Sequence, residues 1–89
     1  MARKLFNHAY AQAQVITHND GLVDLISYNT RVITIDRDGW MDVTGLYSRT
    51  TIKHIGWFMR ELYNLSYQFA KDAYMRDRRM NVFTGEIEE

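Results

Sequence analysis

Eight residues between positions 53 and 78 alternate cations with aromatic rings. Lys53, Trp57, Arg60, Tyr63, Tyr67, Lys71, Tyr74 and Arg78 recur at steps of 4, 3, 3, 4, 4, 3 and 4, a mean of 25/7 residues, close to one α-helical turn. On a helix they would form a single line. Aromatic rings stack on unpaired bases at about 1–3 kcal/mol per base, and lysine and arginine neutralise phosphates and release counterions. A single nucleic-acid strand presents both groups along its length. The pattern therefore predicts a nucleic-acid-binding face made of these eight side chains. Two plainer explanations compete with it. One is a helix–helix interface in an oligomer, and the other is that tyrosines are tolerated singly on surfaces. Assembly and binding are compatible, since one part of a helix can assemble while another binds.

Other constellations carry less chemistry. Ser48-Arg49-Thr50-Thr51 with Lys53 and His54 combines hydroxyls, cations and the free N–H groups of a helix start, which could hold a phosphate. Ordinary capping explains the same residues. Arg76, Arg78 and Arg79 suit the negative end of a helix dipole. His8, His18 and His54 lack ligand spacing, so no metal site is expected. Asp36, Asp38 and Asp42 lack the calcium-loop pattern and read as a solvated turn. Ser48 and His54 could approach each other, but no third group orients the pair. The expectation is a binding protein, not an enzyme, with no cofactor.

These side chains need a scaffold, and the sequence divides into two halves. From Ala9 to Tyr47 it is rich in β-branched and aromatic residues punctuated by turn signals. Asn19-Asp20-Gly21, Tyr28-Asn29-Thr30 and Asp38-Gly39 separate Leu22–Ser27, Arg31–Arg37 and Trp40–Tyr47. Ile33 and Ile35 share one face while Thr34 and Asp36 take the other; Met41 and Val43 alternate with Trp40, Asp42 and Thr44. This predicts an antiparallel meander over residues 9–47. Residues 9–17 are ambiguous, with alanine and glutamine favouring helix and Val15-Ile16-Thr17 favouring strand.

Residues 48–79 read as one long helix with Ser48 or Thr50 as N-cap. From Thr51 to Arg79 there is no proline and one glycine, Gly56, and a continuous helix over that span would run roughly 43 Å. Ile52, Ile55, Phe58, Met59, Leu62, Leu65, Phe69, Ala70 and Ala73 make its core-facing side. Asn64-Leu65-Ser66 marks where it could bend or break. Residues 80–89 make an acidic tail, expected to fray from Asn81 to Glu89. The fold class is thus α+β in one domain, a small meander packed on one long C-terminal helix.

The 89 residues contain no cysteine, so neither disulfides nor a thiolate metal cluster staples a core this small. A chain of this size buries about 60–65% of its unfolded surface, and oligomerisation, as a dimer or tetramer, is the expected support. No run of about 18 apolar residues suggests a membrane span, and the start Met1-Ala2-Arg3-Lys4 does not read as a signal peptide. A soluble protein of the cytoplasm is expected. The formal net charge of zero hides an asymmetry. Residues 49–79 carry seven basic and three acidic side chains, while residues 19–48 and the tail each carry a net −3. Local charge of this kind decides partners more than the total does.

The stretch Ile26-Ser27-Tyr28-Asn29-Thr30, then Gly39-Trp40, then Gly45-Leu46-Tyr47-Ser48-Arg49-Thr50-Thr51-Ile52-Lys53-His54-Ile55 resembles small bacteriophage proteins. These share a Ser-Tyr-Asn/Asp-Thr strand and a Tyr-Ser-x-Thr-Thr-x-x-His-Ile helix start. The resemblance covers about residues 22–60. In size and surface chemistry, though not in any motif, the chain also looks like the single-stranded DNA-binding transcription cofactors of N4-like phages. That resemblance implies an oligomer in the host cytoplasm that coats single-stranded DNA and recruits a phage RNA polymerase. The alternative expectation is a small phage protein that binds and inhibits or redirects a host protein through the same aromatic face.

Overall fold

The computed structural model describes residues 2–4, 13–46 and 48–89. Six strands form one antiparallel sheet in sequence order: β1 Ala2–Lys4, β2 Ala13–Thr17, β3 Val23–Ser27, β4 Thr30–Ile35, β5 Trp40–Val43 and β6 Met80–Asn81. Two helices, α1 Arg49–Tyr63 and α2 Tyr67–Arg76, connect β5 to β6. The chain is α+β, as its sequence predicts. The meander is wider than residues 9–47, because β1 extends one edge and β6 the other. Residues 9–12, Tyr47 and His8, on which sequence expectations also fall, lie outside the described residues.

Turn chemistry sets the strand boundaries. Gly21 (φ 89°) and Gly39 (φ 95°) take backbone conformations that L side chains rarely adopt. Asp20 Oδ1 accepts from the Leu22 N–H at 3.1 Å, and Asp36 Oδ1 accepts from the Asp38 and Trp40 N–H groups at 3.0 Å. The strands alternate as read from sequence: Ile33, Ile35, Met41 and Val43 are buried, while Thr34 and Trp40 are half-buried and Asp42 is exposed. One irregularity was not legible. Leu25 pairs with Ile33 but Ile26 pairs with Arg31, so Val32 is the extra residue of a β-bulge.

The core lies between one sheet face and the helices. Val15, Leu25, Ile33, Ile35 and Met41 meet Ile55, Phe58 and Met59 of α1 and Ala70 and Ala73 of α2. Helix α1 packs on β3 and α2 on β5. The amphipathic periodicity of residues 52–73 is therefore real, with Leu62, Leu65 and Phe69 packed partly buried against the same cluster.

The single long helix is not what forms. Helix α1 ends where Asn64 turns left-handed (φ 55°), its N–H reaching the Arg60 and Met59 carbonyls. Leu65 also returns its N–H to Met59 O at 3.1 Å. Ser66 then takes an extended conformation as the N-cap of α2. Asparagine tolerates the left-handed region better than most residues, and a straight helix of roughly 43 Å would outrun the molecule's longest dimension of 37 Å. Folding back lets Phe69, Ala70 and Ala73 reach the core. Helix α2 ends the same way at Asp77 (φ 52°), with Arg78 N–H bonded to Ala73 O and Asp77 N–H to Tyr74 O.

The expectation of a frayed tail is also corrected. Asn81 is buried; its Nδ2 donates to Asp38 O at 2.9 Å, and its Oδ1 accepts from the Phe83 and Thr84 N–H groups. Met80 pairs with Met41 on one side and bridges to Ile87 on the other. Arg79 binds Glu88 through both Nε and Nη2, lies 3.6 Å from Asp36 Oδ2, and sits over the Trp40 ring at 5.9 Å. The backbone and an ion-pair cluster thus hold the tail to the β5 edge.

Candidate nucleic-acid interface

The helix break divides the eight-residue line. Lys53, Trp57, Arg60 and Tyr63 lie on α1; Tyr67, Lys71 and Tyr74 lie on α2; Arg78 follows the end of α2. On α1, Lys53 and Arg60 project opposite Ile55 and Phe58 and are exposed. Trp57 and Tyr63 fall about 60° to either side of that ridge. Both are half-buried and pack against the core cluster. Tyr63 meets Phe58 edge-on at 5.7 Å and Phe83 at 6.1 Å, and its burial pushes the phenol pKa above its ordinary value.

On α2 the flank formed by Tyr67, Lys71 and Tyr74 behaves differently along its length. A methyl in place of the Gly56 hydrogen would stand 3.7 Å from the Tyr67 Cβ, so the helices meet there and Tyr67 is half-buried. Lys71 is half-buried and Tyr74 is exposed. Arg78 is exposed and lines a polar recess with Asp42, Asp77, Arg79 and Glu88, so three carboxylates and a second cation share its surroundings. The large rings are therefore not all outward: a wheel places Cβ atoms, and long aromatic side chains on the flanks bend toward apolar neighbours.

The start of α1 is occupied by structure. Ser48 is the N-cap, accepting from Thr51 N–H at 3.3 Å. Thr51 Oγ1 lies 3.1 Å from Ser27 Oγ, and Ser27 Oγ lies 2.8 Å from His54 Nδ1. The histidine thus pairs with Ser27 and not with Ser48. Ser27, Thr51 and His54 are 2%, 4% and 1% exposed, so no substrate reaches the serine–histidine pair, and it joins strand to helix. The sequence carried a signal for this network. Ser48, Thr51 and His54 are spaced by three from the N-cap onward, but Ser27, the partner of Thr51 and His54, is 24 residues from Thr51.

A second polar cluster lies on the sheet face away from the helices. Asp24 is 2% exposed and holds three partners: Thr34 Oγ1 donates to it at 2.8 Å, His18 Nε2 lies at 2.8 Å and Arg31 Nε at 3.5 Å. Its signal was a carboxylate inside an apolar strand, which must be paired when buried. Among the described residues no three histidine, aspartate or glutamate side chains converge in a way that could hold a metal ion, and no helix is long and apolar enough to cross a membrane.

The exposed remainder is an outer helical surface with Lys53, Arg60 and Tyr74 exposed, Trp57, Tyr63, Tyr67 and Lys71 half-buried, and Arg49 one turn before Lys53. It can offer ring edges and faces between cations. Residues 3–79 match the model of a family described as "Family of unknown function (DUF8033)", and the chain belongs to that family. No curated protein and no solved structure matches it.

Proposed function

We propose that this protein is a phage-encoded, non-enzymatic binder of single-stranded nucleic acid, with single-stranded DNA as its ligand. The observation that carries the reading is the outer surface of α1 and α2. Its cations Lys53, Arg60 and Lys71 are interleaved with Trp57, Tyr63, Tyr67 and Tyr74, and the half-buried rings pack against the core. A ring already fixed by packing loses little freedom when a base stacks on it. Transcription-cofactor activity, with recruitment of a phage RNA polymerase in the host cytoplasm, is the extension of this reading that the phage resemblance suggests.

One observation favours a second reading. Met75 is 68% and Phe83 66% exposed, more than cation–aromatic chemistry requires. Such residues suit a protein interface, either a dimer or tetramer of this chain or a host protein that it inhibits or redirects. Salt separates the two readings. Binding of labelled oligothymidylate, followed by fluorescence anisotropy, is expected to weaken linearly in log K against log salt, by about 0.7 per phosphate neutralised. A salt-insensitive association, or none, contradicts the nucleic-acid reading.

A further inference from the structure

Tyr28 stands first in the two-residue turn between β3 and β4, with φ 58°. Among the described residues only Asn64 and Asp77 share a positive φ without being glycine. Asparagine and aspartate tolerate that region, whereas a bulky side chain there is strained. Burial does not compensate the strain, because Tyr28 is 52% exposed. Its ring has a defined seat all the same. The centroid lies 5.7 Å from that of His54, tilted by 48°, and the His54 ring lies 5.7 Å from that of Trp57 at 44°. Two rings from distant parts of the chain thus flank a buried imidazole that Ser27 fixes. Lys53, the residue before His54, and Arg49 are exposed on the same helix, and the first turn of α1 holds no acidic residue.

We propose that Tyr28 and Trp57 form a base-stacking platform for single-stranded nucleic acid, with Lys53 neutralising the adjacent phosphate. This rests on the nucleic-acid reading and extends the surface from α1 onto the β3–β4 turn. The occupant follows from the chemistry. A partly exposed ring beside another aromatic takes a flat apolar face, and the exposed Arg49 and Lys53, with no acidic residue in the first turn of α1, favour a ligand that is anionic between those faces. A strand of nucleotides supplies both at once.

The test compares wild type, Tyr28→Asn and Tyr28→Phe in thermal melting and in anisotropy titration with labelled oligothymidylate. Asparagine accepts the left-handed turn, so Tyr28→Asn is expected to melt at or above the wild-type temperature and to bind about five-fold or more weakly. Tyr28→Phe keeps the ring and is expected to match wild type in both. Unchanged affinity in Tyr28→Asn overturns the platform. A Tyr28→Asn that melts below wild type also overturns it, because Tyr28 is then a structural residue. If wild type itself binds no oligothymidylate, the nucleic-acid reading falls, and this inference falls with it.

Discussion

Ser27 Oγ and His54 Nδ1 lie 2.8 Å apart, both shielded from solvent, and tie the end of β3 to the second turn of α1. Thr51 Oγ1, 3.1 Å from the same serine oxygen, adds a further bond to the tie. Two hydroxyls and an imidazole in an apolar interior are stable only because they satisfy one another. Ser27→Ala removes the shared partner and leaves the Nδ1 of His54 without this bond. The expected cost is about 1–3 kcal/mol in urea denaturation. A change inside experimental error would show that the network contributes nothing net.

The break between the helices has a signature in the sign of a mutational effect. Asn64 is left-handed at φ 55°. Alanine there is disfavoured by about 1–2 kcal/mol, whereas glycine relieves the conformation. Asn64→Ala is therefore expected to destabilise and Asn64→Gly to be neutral or stabilising. In one continuous helix the order reverses, since alanine is the best helix former and glycine costs about 1 kcal/mol. Melting temperatures of the two variants decide between the architectures.

Where periodicity spoke for burial, the sequence was a good guide. Ile33, Ile35, Met41 and Val43 point inward, and Ile55, Phe58, Met59, Ala70 and Ala73 line the helical side of the core. What it did not convey was long-range. Asn64 and Ser66 were visible as a weak point, but only the core's need for Phe69, Ala70 and Ala73 makes the chain fold back there. The partnership of Ser27 with Thr51 and His54, and that of Arg79 with Asp36 and Glu88, join residues far apart in the chain or in segments that read as turn and tail. The candidate surface was legible in composition but not in exposure. Trp57, Tyr63 and Tyr67 sit on helix flanks, where a wheel cannot tell whether a ring lies outward or tucks toward the core.

The tail has a pH signature. The hydrogen bond from Arg79 holds the Glu88 carboxyl below its ordinary value of 4.5. A carboxylate depressed in the folded state contributes stability that is present above its unfolded pKa and lost as pH falls through the folded one. Both side chains are about two-fifths exposed, so the global effect is small and the readout should be local. The NMR shifts of Arg79 Nε–H and the Glu88 amide are expected to step below the ordinary carboxylate range in wild type. Glu88→Gln is expected to lack that step. A wild-type step at or above the ordinary carboxylate value would contradict the pairing.

The most direct test of the central claim compares single-stranded and duplex DNA of the same sequence and length in one anisotropy titration at fixed salt. In a duplex the base faces are already stacked and closed to Trp57, Tyr74 or Tyr28, and only the cations can act. The account predicts clear preference for the single strand with little dependence on its sequence. Equal affinity for the two forms, or binding to neither, would contradict it.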